Sequence, residues 1–311
     1  MKPIPKIVLL LFFLASSLHA QDFKVIHSEE GVLVSESGNK VFFYQKKPKS
    51  RQGKYERSGY IHPLYGMNGE ILTEDFPEDH LHHRGIFWAW HQMKVGQEQI
   101  ADSWDCEGFT WDVVQTTGDV KNGMATIRTE VLWRPENTID GAANILKEKT
   151  TITAHASDEQ YRIIDFDITL TSLIDDLSIG GSDDEKGYGG FSIRLNLPPD
   201  ISFLSDVGPA IPKETAVQPS AWMDFSGTFD QEQLSGVTVF SHPENPGHPH
   251  PWILRSSGSM QNPVYPGRMP VALAKDSSWR LQYRVVVHSG GLSSKEIEAL
   301  YKVYSSTRDI Q

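Results

Sequence analysis

The stretch Ile164-Asp165-Phe166-Asp167-Ile168-Thr169-Leu170 alternates apolar and polar side chains without a break. A period of two belongs to a strand with one buried and one wet face, because successive side chains point to opposite sides of a sheet. Similar runs occur at Val32 to Val34, Lys40 to Gln45, Gly123 to Trp133, Ile145 to His155, Phe191 to Leu195, Val237 to Phe240 and Leu281 to Val287. Ser37-Gly38-Asn39, Gly118-Asp119, Asn122-Gly123 and Ser157-Asp158-Glu159 are turn signals that separate them. Trp111 to Thr116 and Met124 to Trp133 are expected to pair as a hairpin across Gly118 to Gly123, with the next two runs continuing a meander. One helix is expected, at the C-terminus. There Ser293 and Glu296 form a capping box, and Ile297, Leu300, Tyr301 and Tyr304 share a face that packs on the outside of a sheet. The pattern predicts an all-β chain: a large antiparallel β-sandwich with a C-terminal helix, as a single domain over residues 21–311.

Lys2 and Lys6 precede the apolar run Ile7 to Leu14, and small residues lead to Ala20, which reads as a signal peptide over residues 1–20. A periplasmic or secreted protein is expected, with no membrane insertion, since no apolar stretch of spanning length follows. Twenty-nine basic residues against 40 acidic ones give a net charge of −11, which disfavours nucleic acid and anionic membranes as partners. A small-molecule or oligosaccharide ligand is the expected partner. Cys106 is the single cysteine, so stability rests on an ordinary core rather than an internal disulfide.

The densest chemistry lies in Asp79-His80-Leu81-His82-His83-Arg84-Gly85-Ile86-Phe87-Trp88-Ala89-Trp90-His91, with four histidines in one short segment. Imidazole titrates near neutral pH, ligates metals, and moves protons when a carboxylate such as Asp79 orients it; arginine can hold a carboxylate or oxyanion. His82, His83 and Arg84 are therefore candidate catalytic residues. Trp88 and Trp90 fall on one strand face, and an exposed indole at Trp88 would suit a sugar ring. The spacing matches no established zinc motif, so a divalent metal is a possible cofactor rather than a required one. His62, in Tyr60-Ile61-His62-Pro63-Leu64-Tyr65, is a candidate to join the cluster.

Three later segments carry a similar mixture, as a site built from several strand ends requires. They are Gly187-Tyr188-Gly189-Gly190-Phe191-Ser192-Ile193-Arg194, then Ser241-His242-Pro243-Glu244-Asn245 leading to Trp252 and Arg255, and Tyr283-Arg284. His242 joins the catalytic candidates. Tyr188, Arg194, Asn245, Trp252, Arg255 and Arg284 are candidate substrate-binding residues, since arginine in an apolar strand is costly unless paired or bound to an anion. Glu74, Asp79 and Glu244 are candidate carboxylates, at no spacing that assigns a glycosidase mechanism.

Taken together, the Gly59-to-Tyr65 run, Asp79-His80-Leu81-His82-His83-Arg84-Gly85, Gly187-Tyr188-Gly189-Gly190-Phe191, His242-Pro243-Glu244-Asn245 and Tyr283-Arg284-Val285 resemble the bacterial PmoA family, labelled methane oxygenase. The resemblance covers nearly the whole chain after the leader. It implies a carbohydrate context and a fold like the galactose-mutarotase supersandwich. The leading expectation is an enzyme acting on a glycoside, oxidised sugar or polysaccharide fragment by histidine acid/base chemistry, as a hydrolase, lyase or epimerase. A noncatalytic carbohydrate-binding protein and a metal-dependent oxidoreductase or hydrolase are the alternatives.

Overall fold

In the strand Tyr161–Ser172 every second residue from Arg162 to Ser172 is buried, as the alternation predicts. This strand is the fourth in a nine-stranded sheet in which every neighbour is antiparallel. The order begins with the meander Phe109–Lys121, Met124–Pro135, Leu146–His155 and Tyr161–Ser172. It continues through Ser278–Ser289, Ser235–Ser241, Trp222–Gly227, Ser202–Ser205 and Gly208–Pro209. A second sheet of six strands runs Phe23–His27, Gly31–Glu36, Asn39–Gln45, Tyr60–Leu64, Ile86–Ala89 and Gly190–Ile193. The chain is seen in a computed structural model that describes residues 22–139, 141–229 and 233–306. The expected signal peptide lies outside them.

The two sheets face each other across one apolar core. Val34, Phe42, Ile61, Ile86 and Ile193 from the smaller sheet share it with Ile127, Ile152, Ile168, Leu281 and Val285 from the larger. Phe191 stacks on Tyr283 with ring centroids 4.4 Å apart and meets the edge of Phe166 at 5.2 Å, so aromatic packing joins the layers. This is the expected all-β, sandwich-like architecture. The helix Ser294–Ser306 is capped as its sequence dictates: Ser293 N–H donates to Glu296 Oε2 at 2.8 Å, and Glu296 N–H returns to Ser293 Oγ at 3.3 Å. Its Ile297 and Tyr304 pack with Trp222, Phe240 and Val286 on the outer face of the larger sheet. Among the described residues no helix is long and apolar enough to cross a membrane.

One turn expectation is corrected. Gly118 and Asp119 lie within the strand Phe109–Lys121, paired with Ile127 and Thr126, and the chain reverses at Asn122-Gly123. The glycine answers a packing need instead, since a Cβ at Gly118 would stand 2.5 Å from Val25 Cγ1. Beyond the sandwich, a four-stranded sheet contains Leu177–Gly180, Gln92–Val95 and Glu98–Ala101, and a three-stranded sheet contains His250–Ile253. The loops next to these small sheets carry the candidate site.

Candidate functional site

The segment after Pro77 is wound by tight turns, with His80 N–H donating to Pro77 carbonyl oxygen at 3.1 Å and His83 N–H to that of His80 at 2.9 Å. This winding packs three imidazoles together. The rings of His80 and His83 stack with centroids 4.6 Å apart, and His82 meets His83 edge-on, also at 4.6 Å. A few residues on, the hairpin of Gln92–Val95 and Glu98–Ala101 folds the chain back on itself. Residues 102–105 thereby return beside His91, whose ring lies over Trp104 at 5.6 Å. Ser103 Oγ accepts from Trp90 N–H at 2.9 Å and anchors that return.

These groups surround a cavity of about 390 Å³ lined by His80, His82, His83, His91, Trp104, Asp105, Lys186, Tyr188, Arg255, Ser259 and Met260. Three of the histidines each have their own carboxylate. His80 Nδ1 is 2.8 Å from Asp79 Oδ2, His91 Nδ1 is 2.7 Å from Asp102 Oδ2, and His82 Nε2 is 3.4 Å from Asp105 Oδ1. The fourth, His83, has Arg194 Nη1 at 3.4 Å from Nδ1. Guanidinium can only donate, so Nδ1 accepts and the neutral His83 ring carries its hydrogen on Nε2. His91 Nε2 is buried without a hydrogen-bond partner among the described residues.

Burial holds His82 at about 4, helped by the nearby His80 and His91, so this imidazole is neutral at neutral pH. Burial, with His82 and His80 next to it, sets His83 well below the usual histidine range. Asp105 is raised by burial and then by the neighbouring Asp102. Burial pushes the Tyr188 hydroxyl up to about 12, with Asp184 and Asp105 adding to it. Burial opposes ionisation at Asp79, but hydrogen bonds from Arg194 and His80 outweigh it and hold the carboxyl below its ordinary range. His91, Asp102 and Asp105 place potential ligand atoms within 4.8 Å of one another, so this trio is the group that could hold a cation.

Of the residues expected from sequence, His82, His83, Tyr188 and Arg255 line this one cavity. Arg194 stands behind it, 2 % exposed, with Nε on Glu74 at 2.7 Å and both outer nitrogens on Asp79. Asp79 thus orients His80 and ties down Arg194, while its Oδ2 also accepts from Ser259 N–H at 3.0 Å. Arg84 is fully buried away from the cavity: it donates to the carbonyls of Leu81 and Tyr55, lies over the Phe76 ring at 3.5 Å, and sits 3.6 Å from Asp75. Its place is structural. His62 is half-buried and hydrogen-bonds through Nδ1 to Thr73 Oγ1 at 3.1 Å, outside the cavity lining.

The remaining candidates do not converge with the cluster. Trp88 and Trp90 do share a strand face, but that face is the core, and Trp88 Nε1 donates to Glu148 Oε2 at 2.8 Å. Trp252 is buried with its N–H on the Ser220 carbonyl. Asn245 closes its own turn with its N–H on the His242 carbonyl at 3.0 Å, and its side chain ties that turn to Gln282, donating to the carbonyl at 2.8 Å and accepting from the N–H at 2.6 Å. His242 and Arg284 line a separate cavity of about 220 Å³ on the larger sheet, where Arg284 is bound to both oxygens of Asp165. Sequence reasoning passed over Asp102, Trp104, Asp105 and Lys186. The signal for the first three was the Asp102-x-x-Asp105 spacing directly after a hairpin that begins beside His91.

Residues 31–302 match the model of a family described as a family of unknown function, DUF6807. No curated protein matches the chain. The match corrects the resemblance expected from the motifs, since nothing in the comparisons indicates a PmoA family protein. The matched span covers most of the sequence, from the second described strand into the C-terminal helix, and the whole of the histidine cavity, so the chain belongs to the DUF6807 family of unknown function.

Proposed function

We propose that this chain is an exported carbohydrate-active enzyme that acts on a glycoside, oxidised sugar or polysaccharide fragment by proton transfer at the histidine cavity. With the PmoA resemblance set aside, the reading rests on the site itself. The observation that carries it is the set of imidazole–carboxylate pairs, His80 with Asp79, His91 with Asp102 and His82 with Asp105, around one cavity. A neutral imidazole oriented by a carboxylate is the usual apparatus for taking a proton and returning it. Neutral His82 accepts the proton, Arg255 faces the developing negative charge, and the rings of Trp104 and Tyr188, 5.0 Å apart, offer an apolar wall for a sugar face. Incubating the purified protein with a panel of glycosides, uronides and oligosaccharides tests the reading. Product formation that disappears in His82→Ala supports it, and neither turnover nor binding across the panel would sink it.

The trio His91, Asp102 and Asp105 favours a second reading, metal-assisted chemistry in the same cavity. Mass-spectrometric metal analysis distinguishes the two. One transition metal per chain, lost in Asp102→Asn, supports the second reading; no stoichiometric uptake after reconstitution removes it.

A further inference from the structure

Arginine has five N–H donors. In Arg255 three are taken by main-chain carbonyls: Nη1 donates to Lys213 at 2.8 Å and to Leu254 at 2.8 Å, and Nη2 donates to Glu214 at 3.0 Å. The Nε hydrogen and the second Nη2 hydrogen have no partner among the described residues. Nε and Nη2 together form an edge that can donate to both oxygens of a carboxylate. Among the described residues no carboxylate forms an ion pair with Arg255. Arg84, Arg162, Arg194 and Arg284, by contrast, each face an acid of the chain.

The position of this fork matters as much as its freedom. Arg255 and Lys186 line both the histidine cavity and an adjoining cavity of about 690 Å³, whose lining also includes Lys213, Glu214, Ser256 and Ser257. Lys186 is only loosely engaged, 4.0 Å from Asp184. Arg255 and Lys186 are thus the two cations common to both linings, on a protein whose net charge is −11, with Lys213 and the acid Glu214 on the larger one. A half-buried guanidinium with an unused bidentate edge is stabilised by an anion that brings its own two oxygens.

We infer that the ligand is an acidic sugar whose carboxylate is held by the free edge of Arg255 with Lys186 beside it, and whose neighbouring unit extends into the second cavity. The inference rests on the carbohydrate reading above and narrows it to uronate-bearing oligosaccharides. The backbone clamp fixes the guanidinium before the ligand arrives, so little conformational freedom is lost on binding.

The test is calorimetric titration of the full chain with uronate disaccharides of the galacto, gluco and manno series, with their methyl esters, and with galactose 6-sulfate. The esters keep the shape and remove the charge. An acid is expected to bind at least about tenfold tighter than its ester, as loss of a charged hydrogen-bonded pair implies. Arg255→Met should shrink that difference, and Arg255→Lys, which keeps the charge and loses the two-point edge, should shrink it less. Equal binding of acid and ester overturns the inference and leaves the broader sugar reading standing. Preference for the sulfate overturns the carboxylate assignment. If no sugar binds, both fail. The acid-to-ester comparison needs no variant, so it decides the question even if loss of the arginine loosens residues 213 and 214.

Discussion

Arg194 and Asp79 form a two-point ion pair, with Nη1 at 3.0 Å from Oδ2 and Nη2 at 2.7 Å from Oδ1, and the same guanidinium reaches His83 Nδ1 at 3.4 Å. One buried cation thereby sets the tautomer of one histidine and holds the carboxylate that orients another. Removing a partner from a fully buried pair costs roughly 3–5 kcal/mol. Arg194→Met should cost less, about 2–3 kcal/mol, because its partners Asp79 and Glu74 are partly exposed and can turn to water. Urea unfolding checks this, and a variant as stable as the parent would contradict it.

His82→Ala should lower turnover on an identified substrate by about 10²–10⁴-fold, the usual size of a lost general acid or base. Its melting temperature should stay close to the parent's, since the ring lines a cavity rather than filling the core. Asp105→Asn, which keeps the shape and loses the charge, should give a smaller loss of the same kind. Steady-state kinetics should place both losses in kcat rather than KM.

Protonation should destabilise the fold through His62, His82, His83, His248 and His250, which burial holds below the ordinary histidine range. Burial holds His62, His82 and His248 at about 4, below the ordinary 6.5 of an unfolded chain. Between those values the unfolded state binds more protons, so stability rises with pH across this window and is lost as pH falls from 6.5 towards 4. Melting curves from pH 7 to pH 4 should show that fall, and His82→Gln should flatten it. A slope unchanged in that variant would place the proton uptake elsewhere.

Trp88→Phe should separate core from site. It removes the 2.8 Å hydrogen bond to Glu148, a buried carboxylate also held by Trp133 Nε1 at 2.9 Å and Thr150 Oγ1 at 2.7 Å. Losing a hydrogen bond to a buried charge, together with indole volume, should cost about 2–4 kcal/mol. Substrate affinity at 25 °C should be unchanged; a weakened affinity in folded protein would return Trp88 to the ligand surface.

The strands and the C-terminal cap were legible because their signals are local. The alternation at 164–170 and the Ser293–Glu296 pair act within a few residues, and tertiary packing had only to agree with them. Gly118 was misleading because a glycine serves a turn and a close approach equally well, and only the position of Val25 decides between them. The histidine segment advertised itself by composition. Its carboxylates did not, because Asp102 and Asp105 reach it through a hairpin and Lys186 through a loop from another sheet. Trp88 looked like a ligand platform because periodicity reports that two residues share a face, not whether a second sheet covers it.

The carbonyl clamp on Arg255 has a consequence for how this protein can vary. Its three anchors are main-chain oxygens of residues 213, 214 and 254, which any amino acid at those positions would supply. Side chains at Lys213 and Glu214, which line the adjoining cavity, can therefore change without moving the guanidinium. An insertion or deletion in that short segment would shift both carbonyls at once, so the length of the loop, more than its spelling, is what inheritance must keep.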